Sequence, residues 1–275
     1  VFTDESAADL TATSTWTSSN PAVATVDAAG RVTGVAEGTT NITATVGAIS
    51  GSVTLTVTPP EVASIAVFPS AASIPKGLTV QYSAMSTLTD GNTGDVSPLV
   101  AWDSSDGSVA SISGDGLAVG MEVGVTSISA TLDGVSGETT LTVTSAVLAS
   151  IVVTPDPATV ARGLPLQLSA TGVLTDESTT DLTATSTWDS SNPAVATVDA
   201  TGLVTGVAEG VTNITASVAA ISGSVALTVT PPEVVSIAVF PASSSVSKGL
   251  TLQYSALGTF SDGSAGDVSP PRNLG

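Results

Sequence analysis

Thr187-Trp188-Asp189-Ser190-Ser191-Asn192-Pro193-Ala194-Val195-Ala196-Thr197-Val198-Asp199 has a near-copy at Thr15-Trp16-Thr17-Ser18-Ser19-Asn20-Pro21-Ala22-Val23-Ala24-Thr25-Val26-Asp27. A looser copy begins Ala101-Trp102-Asp103-Ser104-Ser105. The three tryptophans, Trp16, Trp102 and Trp188, stand 86 residues apart. Ser64-Ile65 returns on the same beat as Ser150-Ile151 and Ser236-Ile237. A fixed period carried by the bulkiest core residue marks one folding unit copied in tandem. The units divide as 1–63, incomplete and lacking its first strands; 64–149; 150–235; and 236–275, incomplete with first strands only.

Around those tryptophans the local pattern is β. Val, Ala, Leu and Ile supply most of the 42% hydrophobic residues, and Val, Ile and Thr fit a pleated surface better than a helix. Leu78, Val80, Tyr82, Ala84 and Leu88 are apolar at alternate positions, the pattern of one strand with one buried face. Leu164, Leu166, Leu168, Ala170 and Leu174 keep the same phase. Lys76-Gly77, Arg162-Gly163 and Lys248-Gly249 are turns, and Pro69 marks a break in pairing. Gly30, Gly116 and Gly202 suit a hairpin position with positive φ. About seven short strands per unit, with Trp in the third, predict all-β tandem immunoglobulin-like sandwiches. The chain has no cysteine, so aliphatic layers and the Trp must join the sheets without disulfides.

These residues carry a family resemblance. Ser150-Ile151-Val152-Val153-Thr154-Pro155, Arg162-Gly163, Gln167-Leu168-Ser169-Ala170, Thr187–Asp199, Gly202–Val207 and Asn213-Ile214-Thr215-Ala216 resemble the bacterial immunoglobulin-like domains of group 2. The resemblance covers essentially the whole chain. It implies the kind of module found in bacterial surface adhesins of the intimin and invasin kind, in cell-wall and secreted proteins and in phage structural proteins. That family is defined by its fold, so it carries over no catalytic residue.

The copies alternate. Residues 1–63 align with 173–235 almost letter for letter, and 64–98 resemble 236–270, so the repeating cassette is 172 residues long. Residue 1 aligns with Val173, inside a unit, and Gly275 precedes the tryptophan expected of the last unit. Two expectations follow: an excerpt of a longer chain, or a polymer in which 236–275 of one subunit completes the open 1–63 of the next.

With 24 acidic against five basic residues the net charge is −19, which disfavours nucleic acid and anionic membranes as partners. No apolar run in the sequence is long enough to span a membrane. Histidine and cysteine are both absent, removing the common nucleophile–base pairs and most transition-metal sites. Among the aromatics, Trp16, Trp102, Trp188, Tyr82 and Tyr254 read as core, because Leu168 shares the tyrosine column. Phe2 and Phe260 alternate with leucines in the same way. Phe68 and Phe240, out of phase with Ile65 and Val67, are candidate interface residues.

The strongest candidate site is an acidic loop between the second and third strands. Asp90, Asn92 and Asp95 recur as Asp176, Glu177 and Asp181 and as Asp4, Glu5 and Asp9; Glu61 in the proline linker adds a carboxylate. Such oxygens on loops suit Ca²⁺ bound at a joint between domains, or else a solvated Asp-Gly turn. No other cofactor is expected. The sequence thus predicts a non-enzymatic array outside a bacterial cell, acting as stalk or fibre with its own copies as partners. The competing expectation is an adhesin module touching host protein or glycan.

Overall fold

The computed structural model describes residues 7–269, which are strand, turn or loop apart from one turn of 3₁₀ helix at Thr11–Thr13. They form two compact bodies. One holds the described residues up to Phe68 with 83–101 and 130–138; the other holds 69–82, 102–129 and the described residues from 139 onward.

The second body contains one repeat entire, from Leu148 to Thr230. Its first sheet is antiparallel, with Ser169–Leu174 between Leu148–Thr154 and Thr179–Asp181. Its second sheet runs Ala158–Ala161, Ile221–Thr230, Gly210–Val218, Thr187–Ser190, and only the first pair is parallel. A small third sheet joins Pro165–Gln167, Leu203–Gly206 and Ala196–Val198. Pro155 and Pro157 lie where the chain leaves the first sheet for the second; without N–H groups they cannot continue a ladder. Ile151 and Val153 of the first sheet pack with Val225, Leu227 and Val229 of the second and with Trp188 in one buried cluster. The two sheets come so close that a Cβ on Gly223 would lie 2.0 Å from the Ile151 carbonyl oxygen. Gly202, at φ +77°, closes the hairpin before Leu203 and also lies against the Trp188 ring, where a Cβ would sit 2.8 Å from its edge.

The alternating run 164–174 is two strands, not the one its pattern predicts. Pro165–Gln167 belongs to the small sheet and Ser169–Leu174 to the first. Leu168 sits at the bend, fully buried, its amide bonded to Gly202 O at 3.0 Å. Gln167 Nε2 holds the bend by donating to Leu168 O and Thr201 O, both at 2.8 Å. The run 78–88 divides in the same way, into Thr79–Gln81 and Ser83–Leu88. Alternation survives because the buried side stays the same across the bend. These splits, with the short parallel segment, turn the expected seven strands into ten between Leu148 and Thr230.

The Ser-Ser-Asn motif also finds its reason here. Thr212 Oγ1 lies 3.3 Å from Ser190 Oγ and 3.1 Å from Ser191 Oγ, and accepts the Asn192 amide at 3.0 Å. Thr40 and Thr126 are the same buried hubs for Ser18-Ser19-Asn20 and Ser104-Ser105-Asp106.

In the first body, Thr15–Ser18, Gly38–Val46 and Ile49–Val57 form a sheet beside the Ala24–Val26/Val32–Gly34 hairpin. Val62–Phe68, Ser83–Leu88 and Thr93–Asp95 form another. At the far end of the second body, Val234–Phe240, Ser255–Phe260 and Ala265–Asp267 repeat that three-stranded sheet. Trp188 and Tyr82 are buried, and Trp16 and Trp102 are half-buried. Tyr254, expected in the core, is 46% exposed, because no second sheet covers its face among the described residues. Phe260 is half-buried, and Phe2 lies outside the described residues.

Candidate functional site

The acidic loop folds as a series of Asx turns. Asp176 Oδ1 accepts the Ser178 amide at 3.2 Å and its hydroxyl at 2.5 Å. Asp181 accepts the Thr183 amide at 2.9 Å, and Asp95 accepts the amide and hydroxyl of Ser97 at 2.9 and 2.6 Å. Asp90 accepts both the amide and the side-chain nitrogen of Asn92, at 3.0 and 2.8 Å. Glu177 takes a left-handed turn conformation at φ +65°. The hydroxyls of Ser97, Ser178 and Thr183 hold the carboxyls of Asp95, Asp176 and Asp181 below the usual carboxylate range. Asp4 and Glu5 lie outside the described residues. Among those described, no group of three or more acidic side chains is placed to hold a metal ion. Within the turns, carboxylate oxygens of Asp90, Asp95, Asp176 and Asp181 accept hydrogen bonds from neighbouring residues.

The loop lies against the linker, as expected of a joint, and its contact with a basic turn of the preceding repeat was not anticipated. Its first residue, Thr175, exchanges hydrogen bonds with Val147: the Thr175 amide donates to Val147 O at 2.9 Å, and Thr175 Oγ1 accepts the Val147 amide at 3.2 Å. The Thr175 hydroxyl then donates to the carbonyl of Lys76, 99 residues earlier, at 2.7 Å. Lys76 Nζ stands 3.8 Å from Asp176 Oδ2 and 3.0 Å from Glu122 Oε1. Gly77, at φ +87°, presses on the loop so closely that a Cβ would fall 2.0 Å from Thr175 O. Only glycine fits, by conformation and by space.

One period later the joint is rebuilt with different residues. Ser261 and Glu233 exchange amide–carbonyl and amide–hydroxyl bonds of 2.7 and 3.0 Å, and Ser261 Oγ donates to Arg162 O at 2.6 Å, again across 99 residues. Arg162 reaches Asp262 Oδ2 at 3.3 Å, and a Cβ on Gly163 would lie 2.3 Å from Ser261 O. The Ser178 and Ser264 hydroxyls first, and the Lys76 and Arg162 cations after them, hold the carboxyls of Asp176 and Asp262 low. The only sequence signal was the shared Lys/Arg-Gly column. The partner of that column lies about a full period downstream, at Thr175 for Lys76 and at Ser261 for Arg162.

A third loop of this kind, at Thr89, exchanges its bonds with Glu61 at 2.9 and 3.1 Å but meets no basic turn among the described residues. In that place is a cavity of about 520 Å³, lined by Ala36, Glu37, Pro59, Pro60, Thr89 and Asp90 among others. An apolar cavity of about 540 Å³ opens on the same body beside Leu10, Val46 and Ile49. Phe68 and Phe240 are both exposed; phase accounts for Phe68, whose neighbours Ile65 and Val67 are buried, whereas Ile237 and Val239 on the Phe240 strand are exposed as well. Asn41 accepts from Thr54 Oγ1 at 2.9 Å on a strand, an ordinary cross-strand pair.

Strands, sheet order and joints together define a tandem immunoglobulin-like repeat protein. The family model for the bacterial Ig-like domain (group 2) matches residues 2–57, 61–143 and 147–229, and the chain belongs to that family. It is 39% identical over 273 residues to Ice-binding protein 1 of Shewanella frigidimarina, a match covering 98% of this chain and 31% of the relative. The chain therefore spans less than a third of that protein's length. Among solved structures it is similar to the S-layer protein rSbsC(31-844), at 19% identity and TM-score 0.34, over 93% of this chain and 39% of that one. Mouse protocadherin-24 EC1-3 aligns at 13% identity and TM-score 0.29, over 80% and 91% of the two chains.

Proposed function

We propose that this chain is a length of semi-rigid stalk or fibre on the outside of a bacterium, a non-catalytic spacer that holds other parts of a surface protein at a distance. The observation that carries the reading is the joint. Two successive repeats are pinned by the same hydroxyl-to-carbonyl bond, basic–acidic pair and obligatory glycine, although the residues differ: Thr175/Lys76/Gly77 against Ser261/Arg162/Gly163. Preserving the contact while changing its chemistry is what a spacer with a set angle between modules requires. Ice-binding protein 1 fits such a layout as a longer chain in which similar repeats are one part. On this reading the 275-residue chain alone leaves ice recrystallisation unchanged. Electron micrographs of single molecules test the reading: straight particles of uniform length support it, and collapsed or freely jointed beads overturn it.

A second reading, an adhesin module contacting host protein or glycan, draws support from Phe68 and Phe240, exposed at equivalent positions of two repeats. Replacing both by Ser distinguishes the two. A stalk keeps its stability and its micrographs, whereas an adhesin loses attachment to host cells or glycan arrays.

A further inference from the structure

In each of the repeats 64–149 and 150–235, a strand near the entry of the chain lies in parallel beside the strand by which the chain leaves. Ala158–Ala161 pairs with the end of Ile221–Thr230, Ala158 opposite Leu227 and Ala161 opposite Thr230. One repeat earlier, Ala71–Pro75 pairs in the same direction with Thr140 to Thr144. The ladder runs on past the strands, where the Arg162 amide donates to Thr230 O at 3.0 Å and the Lys76 amide to Thr144 O at 2.9 Å. Its inner side is apolar and buried, with Val160 over Leu227 and Val229 in one copy and Ile74 over Leu141 and Val143 in the other. Strand direction decides how such a pair meets a lengthwise pull. The chain enters ahead of Ala158 and leaves after Thr230, so tension draws the two strands from opposite ends of their ladder. They are driven to slide, and every rung is strained at once. An antiparallel pair such as Gly210–Val218 with Ile221–Thr230 has Gly210 opposite Val229, so a pull applied there opens the rungs one after another. Hydrogen bonds of modest individual strength resist far more together than in turn.

We propose that these repeats carry tension, the parallel ladder being a shear lock that keeps each one folded while the chain is pulled lengthwise between two attachment points. A spacer has to resist bending and need not resist pulling, so this function goes beyond the spacer reading. Lys76 and Arg162 connect the lock to the joint. Each gives its amide to the ladder of its own repeat and its carbonyl to a hydroxyl of the next, Thr175 or Ser261. A pull from the next repeat therefore reaches both strands at one end of the ladder, through the linker on one and through the joint on the other. The full shear falls on the ladder only after the joint has let go. The joint, a hydroxyl bond and a partly exposed ion pair, is the weaker of the two and yields first.

Pulling the same repeat in two directions provides the test. The chain has no cysteine, so handles can be attached at chosen exposed positions. Ser145→Cys with Glu233→Cys brackets the repeat and strains the ladder in shear. Ala208→Cys with Glu233→Cys instead opens Gly210–Val218 and Ile221–Thr230 from their shared end. In single-molecule pulling at one speed, the first pair of handles is expected to need a several-fold higher unfolding force than the second, although both chains melt at the same temperature. Val160→Pro removes a ladder donor two residues before Arg162 and should bring the first force down toward the second. Equal forces in the two directions would overturn the proposal whether or not Val160→Pro folds. So would a folded Val160→Pro chain that keeps the full shear force. Molecules that are straight in micrographs yet unfold as easily in shear as in peeling would defeat this inference and leave the spacer reading standing. Flexible beads that resist shear would do the reverse.

Discussion

Residues 7–57 and 179–229 are almost the same sequence in two environments. Both build the same closing strands and the same Thr hub, Thr40 in one and Thr212 in the other. They part company only where the opening strands should lie. Leu227 is fully buried while its counterpart Leu55 is half-buried, and Gly223 is hard against a backbone carbonyl while Gly51 faces open space. Local structure in these repeats thus arises within the closing half. Burial is supplied by the other half, whose Ile151 and Val153 complete the core.

The widest gap is expected at Leu227. Leu227→Ala removes a fully buried side chain and should cost about 2–5 kcal/mol in a denaturant melt. Leu55→Ala should cost less than about 1 kcal/mol, since much of its surface is already wet; equal losses would break the comparison. Gly223→Ala follows, at about 1–3 kcal/mol of overpacking, against no more than about 0.5 kcal/mol for Gly51→Ala. Proteolysis rates under native conditions would report the same ranking independently. The hubs sharpen the contrast from the other side. Thr40→Val and Thr212→Val each strand two hydroxyls and a buried-side amide, so both should lose roughly 1–2 kcal/mol, to similar extents.

Acidification should act on the occupied joints. Asp176 and Asp262 have folded-state pKa values below the ordinary carboxylate value, so the stabilisation they supply is present above that value, about 3.9. It is lost as pH falls through the depressed folded value. Spin-label mobility across the joint should therefore rise only in strong acid, and should be unmoved by calcium or by chelator at neutral pH. The smallest effect belongs to Tyr82. Its hydroxyl is buried without a partner, and burial pushes its pKa up. Tyr82→Phe should be neutral or raise stability by up to about 1 kcal/mol; a clear loss would mean that the hydroxyl has a partner after all.

The fold could be read from the chain because its signals are local and repeated. A tryptophan recurs on a fixed period, and glycine recurs where φ must be positive, as at Gly116 and Gly202. Two features were hidden. The bends at Tyr82 and Leu168 preserve the alternation of buried positions, so a change of sheet leaves no mark on the pattern. The joint links residues 99 apart, and it exchanges Lys for Arg and Thr for Ser between copies, so neither identity nor spacing within one unit points to it. In the acidic loops, Asp90, Asp95, Asp176 and Asp181 cap turns, and Asp176 also faces Lys76 of the preceding repeat. Tyr254 was assigned to a core that its own half-repeat cannot close.

The central claim is that successive repeats are held at a set angle by the Thr175–Lys76 joint. Because the native chain has no cysteine, nitroxides can be placed singly at exposed positions of the two repeats, at Asp115→Cys and Ser224→Cys. Pulsed electron resonance should then give one narrow distance distribution, which broadens when Gly77→Val forces the turn away from Thr175. A broad distribution in the otherwise native chain, unchanged by that substitution, would contradict the account.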